Sequence, residues 1–332
     1  MIARKFLLMG CVSIVLISGC NKPPLSETRF LFDTHVKIVI PAEEKDARIA
    51  IEKGLQRMED IEKKFDVHKT SSPFFKFNNY GTPMHDKEIA DLMRTCCLIA
   101  QKSDGLFDPT VFPLVKLWGF FEPDTPSLPS DRAIKQCLKR VGYDKLIISS
   151  DTVSPGYKGV AVDMGGIIPG YAGDEVVKVL KNMGIKSALI DTGGEIYALG
   201  TIHHKPWRIG LKNPRGEGII GVIEASNKAV VTSGDYERFF EKDGRRYHHI
   251  LNPKTGYPSQ GIASVTTIGP NDTWSDAWGK VIFLAGGVTE GFNTLKKIPG
   301  YEAVIVTTDS KILFSPGLQN KFKKTPPAAS QE

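Results

Sequence analysis

Two adjacent histidines, His248 and His249, lead into a turn with the sequence Asn252-Pro-Lys-Thr-Gly256. An imidazole titrates near neutral pH, so either ring could act as a general base that removes a proton from a hydroxyl group. A histidine on a strand is also commonly a structural residue whose ring nitrogens are satisfied by hydrogen bonds. The residues alone leave both interpretations open.

A carboxylate and an ammonium group stand four residues apart in the segment Ser275-Asp-Ala-Trp-Gly-Lys280. On a helix, this spacing places Asp276 and Lys280 on one face. The carboxylate could be a metal ligand, or the two side chains could form an ordinary surface ion pair. The spacing does not distinguish these possibilities.

Glycine-rich turns occur at two further places. Val162-Asp-Met-Gly-Gly166 precedes a predicted helix, and Leu189-Ile-Asp-Thr-Gly-Gly194 ends a predicted strand. Such turns let backbone N–H groups approach an anion at the start of a helix, although glycines at a turn often serve backbone geometry alone. Neither turn has the G-x-G-x-x-G spacing of dinucleotide-binding folds. In a third turn, Asp108 stands directly before Pro109, where it suits either a helix cap or a ligand contact.

The N-terminal segment has the pattern of a targeting sequence. A short basic start is followed by an apolar run over residues 6–17, which is too short to span a bilayer. The sequence Leu16-Ile-Ser-Gly-Cys20 then resembles the lipobox of bacterial lipoproteins, in which the cysteine thiol receives the lipid. We predict a signal peptide over residues 1–19, lipidation of Cys20 and a tether over residues 20–28. An ordinary signal peptide with an incidental cysteine is the alternative.

The composition is that of a globular protein. Of 332 residues, 41% are hydrophobic and 24% are charged, which excludes a disordered chain, a collagen and a polytopic membrane protein. The net charge of +6 falls by two when Arg4 and Lys5 leave with the signal peptide, so the charge is too small to indicate a nucleic-acid partner. The 32 glycines and 21 prolines predict many tight turns and favour a strand-rich α+β protein.

Hydrophobic periodicity predicts the elements that position these residues. No repeat, low-complexity tract or linker divides the chain, so we predict one α+β domain over residues 29–320 and a disordered tail over residues 321–332. The main predicted elements are a strand at 30–40, helices at 43–65, 87–102, 131–141, 170–183 and 273–285, and a series of short strands and turns between 195 and 269.

Taken together and in this order, these segments resemble the ApbE family of bacterial flavin transferases. The most specific part is Thr232-Ser-Gly-Asp-Tyr-Glu237 with His249-Ile-Leu-Asn-Pro-Lys-Thr-Gly-Tyr-Pro258, close to the family's T-S-G-x-Y and H-I-x-D/N-P-x-T-G-x-P elements. Asp163-Met-Gly-Gly166 and Phe107-Asp108 add further matches, and the resemblance covers about residues 30–318. It implies a single α+β domain with mixed, largely antiparallel sheets and packed helices.

The resemblance also implies a reaction and a set of site residues. Members of this family bind FAD with Mg²⁺ at its diphosphate and pass FMN to a threonine hydroxyl of a client protein, releasing AMP. Carried over by position, His249 and Asp276 are the catalytic residues. The residues implied to bind FAD are Phe32, His68, Phe107, Asp108, Asp163, Pro169 and Ile250, and the metal position falls on Gly166, Asp276 and Lys280.

This sequence departs from the family pattern at two of these positions. The family's metal-binding helix commonly has the pattern D-x-x-x-T, whereas Asp276 is followed here by Lys280, whose ammonium cannot coordinate a cation. Pro169 replaces a lysine that many members carry, while Gly166 still offers a carbonyl oxygen. Two functions therefore compete: a Mg²⁺-dependent transferase, which we favour, and a non-catalytic FAD-binding lipoprotein in which Lys280 replaces the metal.

The anchor and the reaction together predict partners and location. The resemblance implies a client flavoprotein with an acceptor threonine, typically a membrane-bound electron-transfer subunit or an extracytoplasmic reductase. A lipid on Cys20 would hold the enzyme on the periplasmic side of the membrane, and we expect the inner membrane.

Overall fold

The computed structural model describes residues 23–121 and 126–324 of the chain. The predicted signal peptide, the lipidation residue Cys20 and residues 325–332 of the predicted tail lie outside the described residues. Within those that are described, no helix is long and apolar enough to cross a membrane.

The helices of the described residues carry most of the apolar side chains that cover the central sheet. In α1, for example, every residue of the predicted core face from Ile51 to Phe65 is buried, at the spacing of three and four that a one-sided helix requires. The helices are α1 (Ala47–Phe65), α2 (Pro73–Tyr80), α3 (Lys87–Lys102), α4 (Phe112–Leu117), α5 (Asp131–Leu138), α6 (Ile168–Asn182), α7 (Asp272–Leu284) and α8 (Val288–Leu295).

The strands are short, and twelve of the sixteen in the described residues form hairpins with the next strand. In chain order they are β1 (Leu25–Leu31), β2 (Thr34–Ile40), β3 (Met84–His85), β4 (Leu146–Ile148), β5 (Thr152–Pro155), β6 (Ala188–Thr192), β7 (Glu195–Leu199), β8 (Trp207–Lys212), β9 (Ile219–Ala225), β10 (Lys228–Gly234), β11 (Phe239–Lys242), β12 (Arg245–His248), β13 (Ile262–Gly269), β14 (Glu302–Thr307), β15 (Ile312–Phe314) and β16 (Phe322–Lys324).

An eight-stranded sheet forms the centre of the molecule, with the strand order β1-β2-β6-β7-β10-β13-β14-β15. Every strand pair of the described residues is antiparallel. Helices α1, α6 and α7 pack on one face of this sheet and share its largest core. The three-stranded sheet β16-β9-β8 covers the other face with a second core. The predicted α+β class with largely antiparallel sheets is thus confirmed.

A third, aromatic core lies beside α4 and α5. Trp118 is fully buried there, and its indole N–H donates to the carbonyl of Gly256 at 2.8 Å. Tyr247 and Phe240 from the β11–β12 hairpin stack in the same cluster. This core holds the turn over residues 252–257 next to the hairpin that precedes His249.

The predicted strand over residues 30–40 is wrong, because the chain reverses in its middle. Phe32 and Asp33 have φ angles of 55° and 59°, and this two-residue turn joins β1 to β2, with Leu31 paired to Thr34. Phe30, on the edge strand β1, is 63% exposed. β1 also begins at Leu25, within the predicted tether, and β16 occupies residues 322–324 of the predicted tail.

Most predicted helices are confirmed with small changes at their ends. α3 has the predicted limits, whereas α1 begins at Ala47 rather than at residue 43 and α5 ends at Leu138 rather than at residue 141. The sequence analysis missed α2, α4 and α8. In α2 the signal was Ser72 before Pro73: the Ser72 hydroxyl caps the helix by accepting the N–H groups of Phe74 and Phe75.

Candidate active site

Helix α7 carries Asp276 and Lys280, and its N-terminus is fixed from two sides. The side chain of Asn271 caps the helix by accepting the N–H of Trp274 at 3.0 Å. Asp174 of α6 accepts the N–H groups of Asp272 and Thr273, both at 2.9 Å, and the Thr273 hydroxyl at 2.5 Å. The first four backbone N–H groups of a helix have no acceptor within the helix. The bonds to Asn271 and Asp174 therefore satisfy N–H groups that would otherwise be unpaired. The position of α7 is therefore tied to that of α6.

Glycine makes the contact between α6 and α7 close. A Cβ atom on Gly170 would lie 2.7 Å from the Asp272 carbonyl oxygen and 2.8 Å from the Asp276 Cβ. This approach lets the Gly170 N–H donate to Asp276 Oδ2 at 3.3 Å. Asp276 is fully buried. The first turn of α6, which contains Pro169, is thereby placed against the acid that the sequence singles out.

The predicted double-glycine turn before α6 is held by its own acid. Asp163 Oδ1 accepts the N–H of Gly165 at 2.7 Å, which closes a tight local turn. The preceding strand-like segment is held by Asn78, whose side chain donates to the Val162 carbonyl at 2.8 Å and accepts the Val162 N–H at 2.7 Å. The turn is thus positioned by side chains from two parts of the chain.

Lys280 reaches the double-glycine turn from α7. A Cβ on Gly166 would lie 3.2 Å from Lys280 Cδ and 3.6 Å from Phe107 Cε2. The lysine stem therefore packs over the turn, beside the ring of Phe107. Its Nζ donates to Asp276 Oδ1 in a short ion pair, and the lysine side chain is 19% exposed. The structure thus brings together Phe107, Gly166, Asp276 and Lys280, four of the positions that the family resemblance marks.

Two further carboxylates act on this ion pair. Burial lowers the pKa of Lys280, but the charges of Asp276, Glu195 and Glu237 more than offset this and raise it, so the ammonium stays charged. Burial and the charge of Asp276 raise the pKa of Glu195 well above its usual value. The sequence analysis did not assign Glu195 or Glu237. Their positions in the sequence could have indicated them, since Glu195 directly follows Gly194 and Glu237 ends the Thr232–Glu237 cluster.

The two histidines have different roles. His248 is buried, its Nε2 contacts the Ser259 carbonyl at 2.9 Å, and its Nδ1 accepts the N–H of Ile250 at 3.3 Å. Both ring nitrogens of His248 are satisfied, as in a structural histidine. His249 instead makes one ring contact in the described residues, from Nδ1 to the Arg238 carbonyl at 3.3 Å.

The tautomer of His249 follows from this contact. Because a carbonyl oxygen only accepts hydrogen bonds, Nδ1 of His249 carries the proton and Nε2 keeps its lone pair. Burial, together with the charges of Arg238, His248 and Lys280, lowers the pKa of His249 well below its usual value. The ring is therefore neutral near pH 7 with Nε2 unprotonated, and Lys280 is close enough for its charge to act on the ring.

Both carboxylate oxygens of Asp108 accept hydrogen bonds from within the protein. Its Oδ1 accepts the N–H of Thr110 at 2.8 Å and the Thr110 hydroxyl at 2.6 Å, while Oδ2 accepts the N–H of Tyr143 at 2.8 Å. α4 begins later, at Phe112, so Asp108 is not the helix cap that one interpretation of the sequence offered. Its side chain links the turn after α3 to the segment after α5.

The remaining predicted FAD-binding residues lie in different surroundings. Phe32 is half-buried in the β1–β2 turn, where its N–H donates to Glu62 at 2.7 Å. His68 is exposed and stacks on the ring of Phe121, with centroids 4.3 Å apart and planes at 1°. Ile250 is buried beside His249. Of these, Ile250 lies next to the site, whereas the ring of His68 stacks on Phe121 and its N–H donates to Asp66.

The donor set at the predicted metal position does not fit Mg²⁺. That ion requires near-octahedral oxygen ligands. Asp276 uses Oδ1 for Lys280 and Oδ2 for Gly170, and Lys280 contributes a positive charge where an oxygen ligand is needed. Across residues 23–121 and 126–324, no group of three or more His, Cys, Asp or Glu side chains is arranged to hold a metal ion.

Comparison with known proteins places this site in a family. A family model described as the ApbE family matches residues 32–305. The FAD:protein FMN transferase of Treponema pallidum is 32% identical over 259 residues, covering 72% of this chain and 70% of that protein. The FAD:protein FMN transferase of Klebsiella pneumoniae is 35% identical over 279 residues, covering 81% of this chain and 84% of that protein.

Solved structures agree in fold. The ApbE protein of Thermotoga maritima aligns with a TM-score of 0.83 and 33% identity, covering 89% of this chain and 98% of that one. The flavinyl transferase ApbE of Pseudomonas stutzeri, in its apo form, aligns with a TM-score of 0.78 and 26% identity, covering 88% of this chain and 94% of that one.

Proposed function

Because this chain belongs to the ApbE family, we propose that it is an FAD:protein FMN transferase that passes FMN to a threonine hydroxyl of a client flavoprotein. The observation that carries the proposal is the hydrogen bond that ties Nδ1 of His249 to the Arg238 carbonyl and leaves Nε2 unprotonated, in a ring whose pKa the Lys280 ammonium also lowers. A base and a cation are what transfer of a phosphoryl group to a hydroxyl requires.

The reaction balances with these groups. The threonine oxygen attacks the phosphorus of the FMN half of FAD and forms a new P–O bond. The P–O bond to the bridging oxygen breaks, and AMP leaves with that oxygen. The hydroxyl proton moves to His249 Nε2, while Nδ1–H keeps its hydrogen bond to the Arg238 carbonyl and holds the ring in place.

Lys280 supplies the charge that would hold the diphosphate, and the double-glycine turn positions it. Phe107 and the lysine stem pack over Gly166, while Asp163 accepts the N–H of Gly165 and fixes the turn. The Lys280 ammonium provides the positive charge for an anionic group. The Mg²⁺ that the family resemblance implies would supply additional charge neutralisation, but the donor set does not fit it, so no step depends on it here.

We also propose that the mature chain is a lipoprotein anchored through Cys20 on the periplasmic side of the inner membrane. The lipobox-like sequence before Cys20 supports this proposal. A membrane-bound electron-transfer subunit with an acceptor threonine is the partner that suits an enzyme held on the same surface.

A transfer assay tests the function. The protein is incubated with FAD and a peptide carrying the family's acceptor threonine motif, with and without Mg²⁺, and the peptide is analysed by intact mass while AMP is measured by chromatography. An FMN-sized increment with equimolar AMP is expected. A peptide in which alanine replaces the acceptor threonine should gain no mass.

The ion pair of Lys280 with Asp276 also supports a second candidate, a non-catalytic FAD-binding lipoprotein. Tight FAD binding without release of AMP and without modification of the peptide, both with and without Mg²⁺, would favour that candidate.

A further inference from the structure

The ammonium of Lys280 occupies a defined position rather than a mobile one. Its stem is confined by the turn, because a Cβ on Gly166 would lie 3.2 Å from Lys280 Cδ and 3.5 Å from Cε. Its Nζ is tied to Asp276 one helical turn earlier. Asp276 is in turn fixed by the Gly170 N–H. The cation is therefore built into the packing of α6 against α7.

The surroundings of Lys280 are otherwise acidic. Asp276, Glu195 and Glu237 all act on Lys280 electrostatically. Without the lysine, an ionised Asp276 would repel an anionic ligand such as a diphosphate, whereas burial favours the uncharged form of Glu195 and Glu237. With the lysine, the charge of Asp276 is neutralised within the site, and an ammonium with three N–H donors can still offer two of them to phosphate oxygens.

Formal charge shows what the lysine replaces. An Asp–threonine site that holds a divalent ion carries a net charge of about plus one, and the same site without the ion carries about minus one. Asp276 with Lys280 carries a net charge of zero. The lysine thus supplies about half of the change that a divalent ion would make, and its ammonium repels any divalent ion that approaches Asp276.

We propose that Lys280 is a built-in counter-cation for the diphosphate of FAD, so that this chain binds FAD without a divalent ion. The inference rests on the proposed function for the identity of the ligand. It differs from the non-catalytic alternative, because a site with a built-in cation and His249 in place can still transfer FMN, with less charge neutralisation than a metal would give.

The first test uses the metal alone. Mn²⁺ binding is measured by electron paramagnetic resonance on the parent protein, on Lys280→Thr and on Lys87→Thr. Lys87 forms an exposed ion pair with Asp91, also four residues away, and is the matched control. We expect no stoichiometric Mn²⁺ site in the parent or in Lys87→Thr, and one site in Lys280→Thr, where a hydroxyl oxygen joins a freed Asp276. A stoichiometric, chelator-sensitive site in the parent that Asp276→Asn removes overturns the inference.

The second test is FAD titration, with and without Mg²⁺ and a chelator. We expect the Kd of the parent to differ by less than about twofold between the two conditions. Lys280→Met keeps the apolar stem and loses the charge, so its FAD binding should weaken about tenfold or more in both conditions. Lys280→Thr should bind FAD weakly with chelator and about tenfold more tightly with Mg²⁺.

The outcomes separate this inference from the proposed function. Metal-independent FAD binding without any FMN transfer would support the inference and remove the transferase. Transfer with a tenfold Mg²⁺ effect on the parent's FAD affinity would keep the transferase and overturn the inference. A parent that fails to bind FAD in either condition overturns both. If Lys280→Thr does not fold, the parent's Mn²⁺ and FAD measurements decide the question without it.

Discussion

Replacing His249 tests the central assignment of the site. His249→Ala removes the Nε2 lone pair that would receive the proton of the acceptor hydroxyl, and His249→Gln removes the base while keeping a side chain that can donate to the Arg238 carbonyl. Both variants should slow FMN transfer and leave FAD binding nearly intact, because a base acts on the acceptor and not on the bound FAD.

The size of the effect follows from the surroundings of the ring. A positioned general base typically contributes about 10²–10⁴-fold to the rate. Burial and neighbouring positive charge lower the pKa of His249 well below its usual value. A base of low pKa is always in its active form near pH 7 but takes up a proton less readily, which favours the lower end of that range. We expect a loss of about 10²-fold, or about 2.7 kcal/mol of transition-state stabilisation.

The assay is single-turnover FMN transfer followed by intact mass, beside FAD titration on the same samples. The Kd for FAD should change by less than about threefold in either variant. The pH profile adds an independent check: a ring with a lowered pKa stays neutral as the pH falls through about 6.5, so the parent should show no loss of rate there that depends on His249. Equal losses of affinity and rate, or a His249-dependent loss centred near pH 6.5, would refute the assignment.

Three further changes test the scaffold and the anchor. Gly170→Ala places a Cβ 2.7 Å from the Asp272 carbonyl oxygen, so we expect overpacking of about 1–3 kcal/mol in urea unfolding and a lower transfer rate; unchanged stability would mean that α7 moves aside freely. Asp174→Asn weakens the acceptor for the start of α7 and should cost about 1–2 kcal/mol by the same measurement, and no loss would contradict its role as a cap. Cys20→Ser should release the protein from the membrane fraction, and fractionation identical to the parent would remove the lipoprotein proposal.

The sequence predicted those parts of the fold that depend on local periodicity. α3 matches its predicted limits because its buried positions repeat at steps of three and four and Asp86 caps its start. The β1–β2 hairpin was missed because its turn contains Phe32 and Asp33 and no glycine, so alternating apolar residues continue through a chain reversal. The N–H of Phe32 is held by Glu62 from α1, a contact that local sequence does not reveal.

The site was predicted where a motif lies on one element and missed where it depends on several. Asp276 and Lys280 share a helix, so their spacing predicted that they lie on one face, although it left open whether they pair with each other. Glu195 starts β7 and Glu237 follows β10, two strands that are neighbours in the central sheet, and α7 packs across β10 and β13. Only the strand order brings these acids to the lysine, which is why the sequence revealed the ammonium but not the carboxylates around it.

Those carboxylates explain how a lysine can stay charged at a largely buried position of this fold. A lysine placed among three acids keeps its charge, since Asp276, Glu195 and Glu237 raise its pKa despite burial. With a neutral residue at position 280, Asp276 would lose its counter-charge, and burial would favour the protonated form of the acids around it. The i, i+4 spacing on α7 lets either arrangement use Asp276 without moving the backbone. On the proposal that Lys280 is the counter-cation for the diphosphate, the identity of residue 280 decides whether the positive charge comes from the chain or from solution.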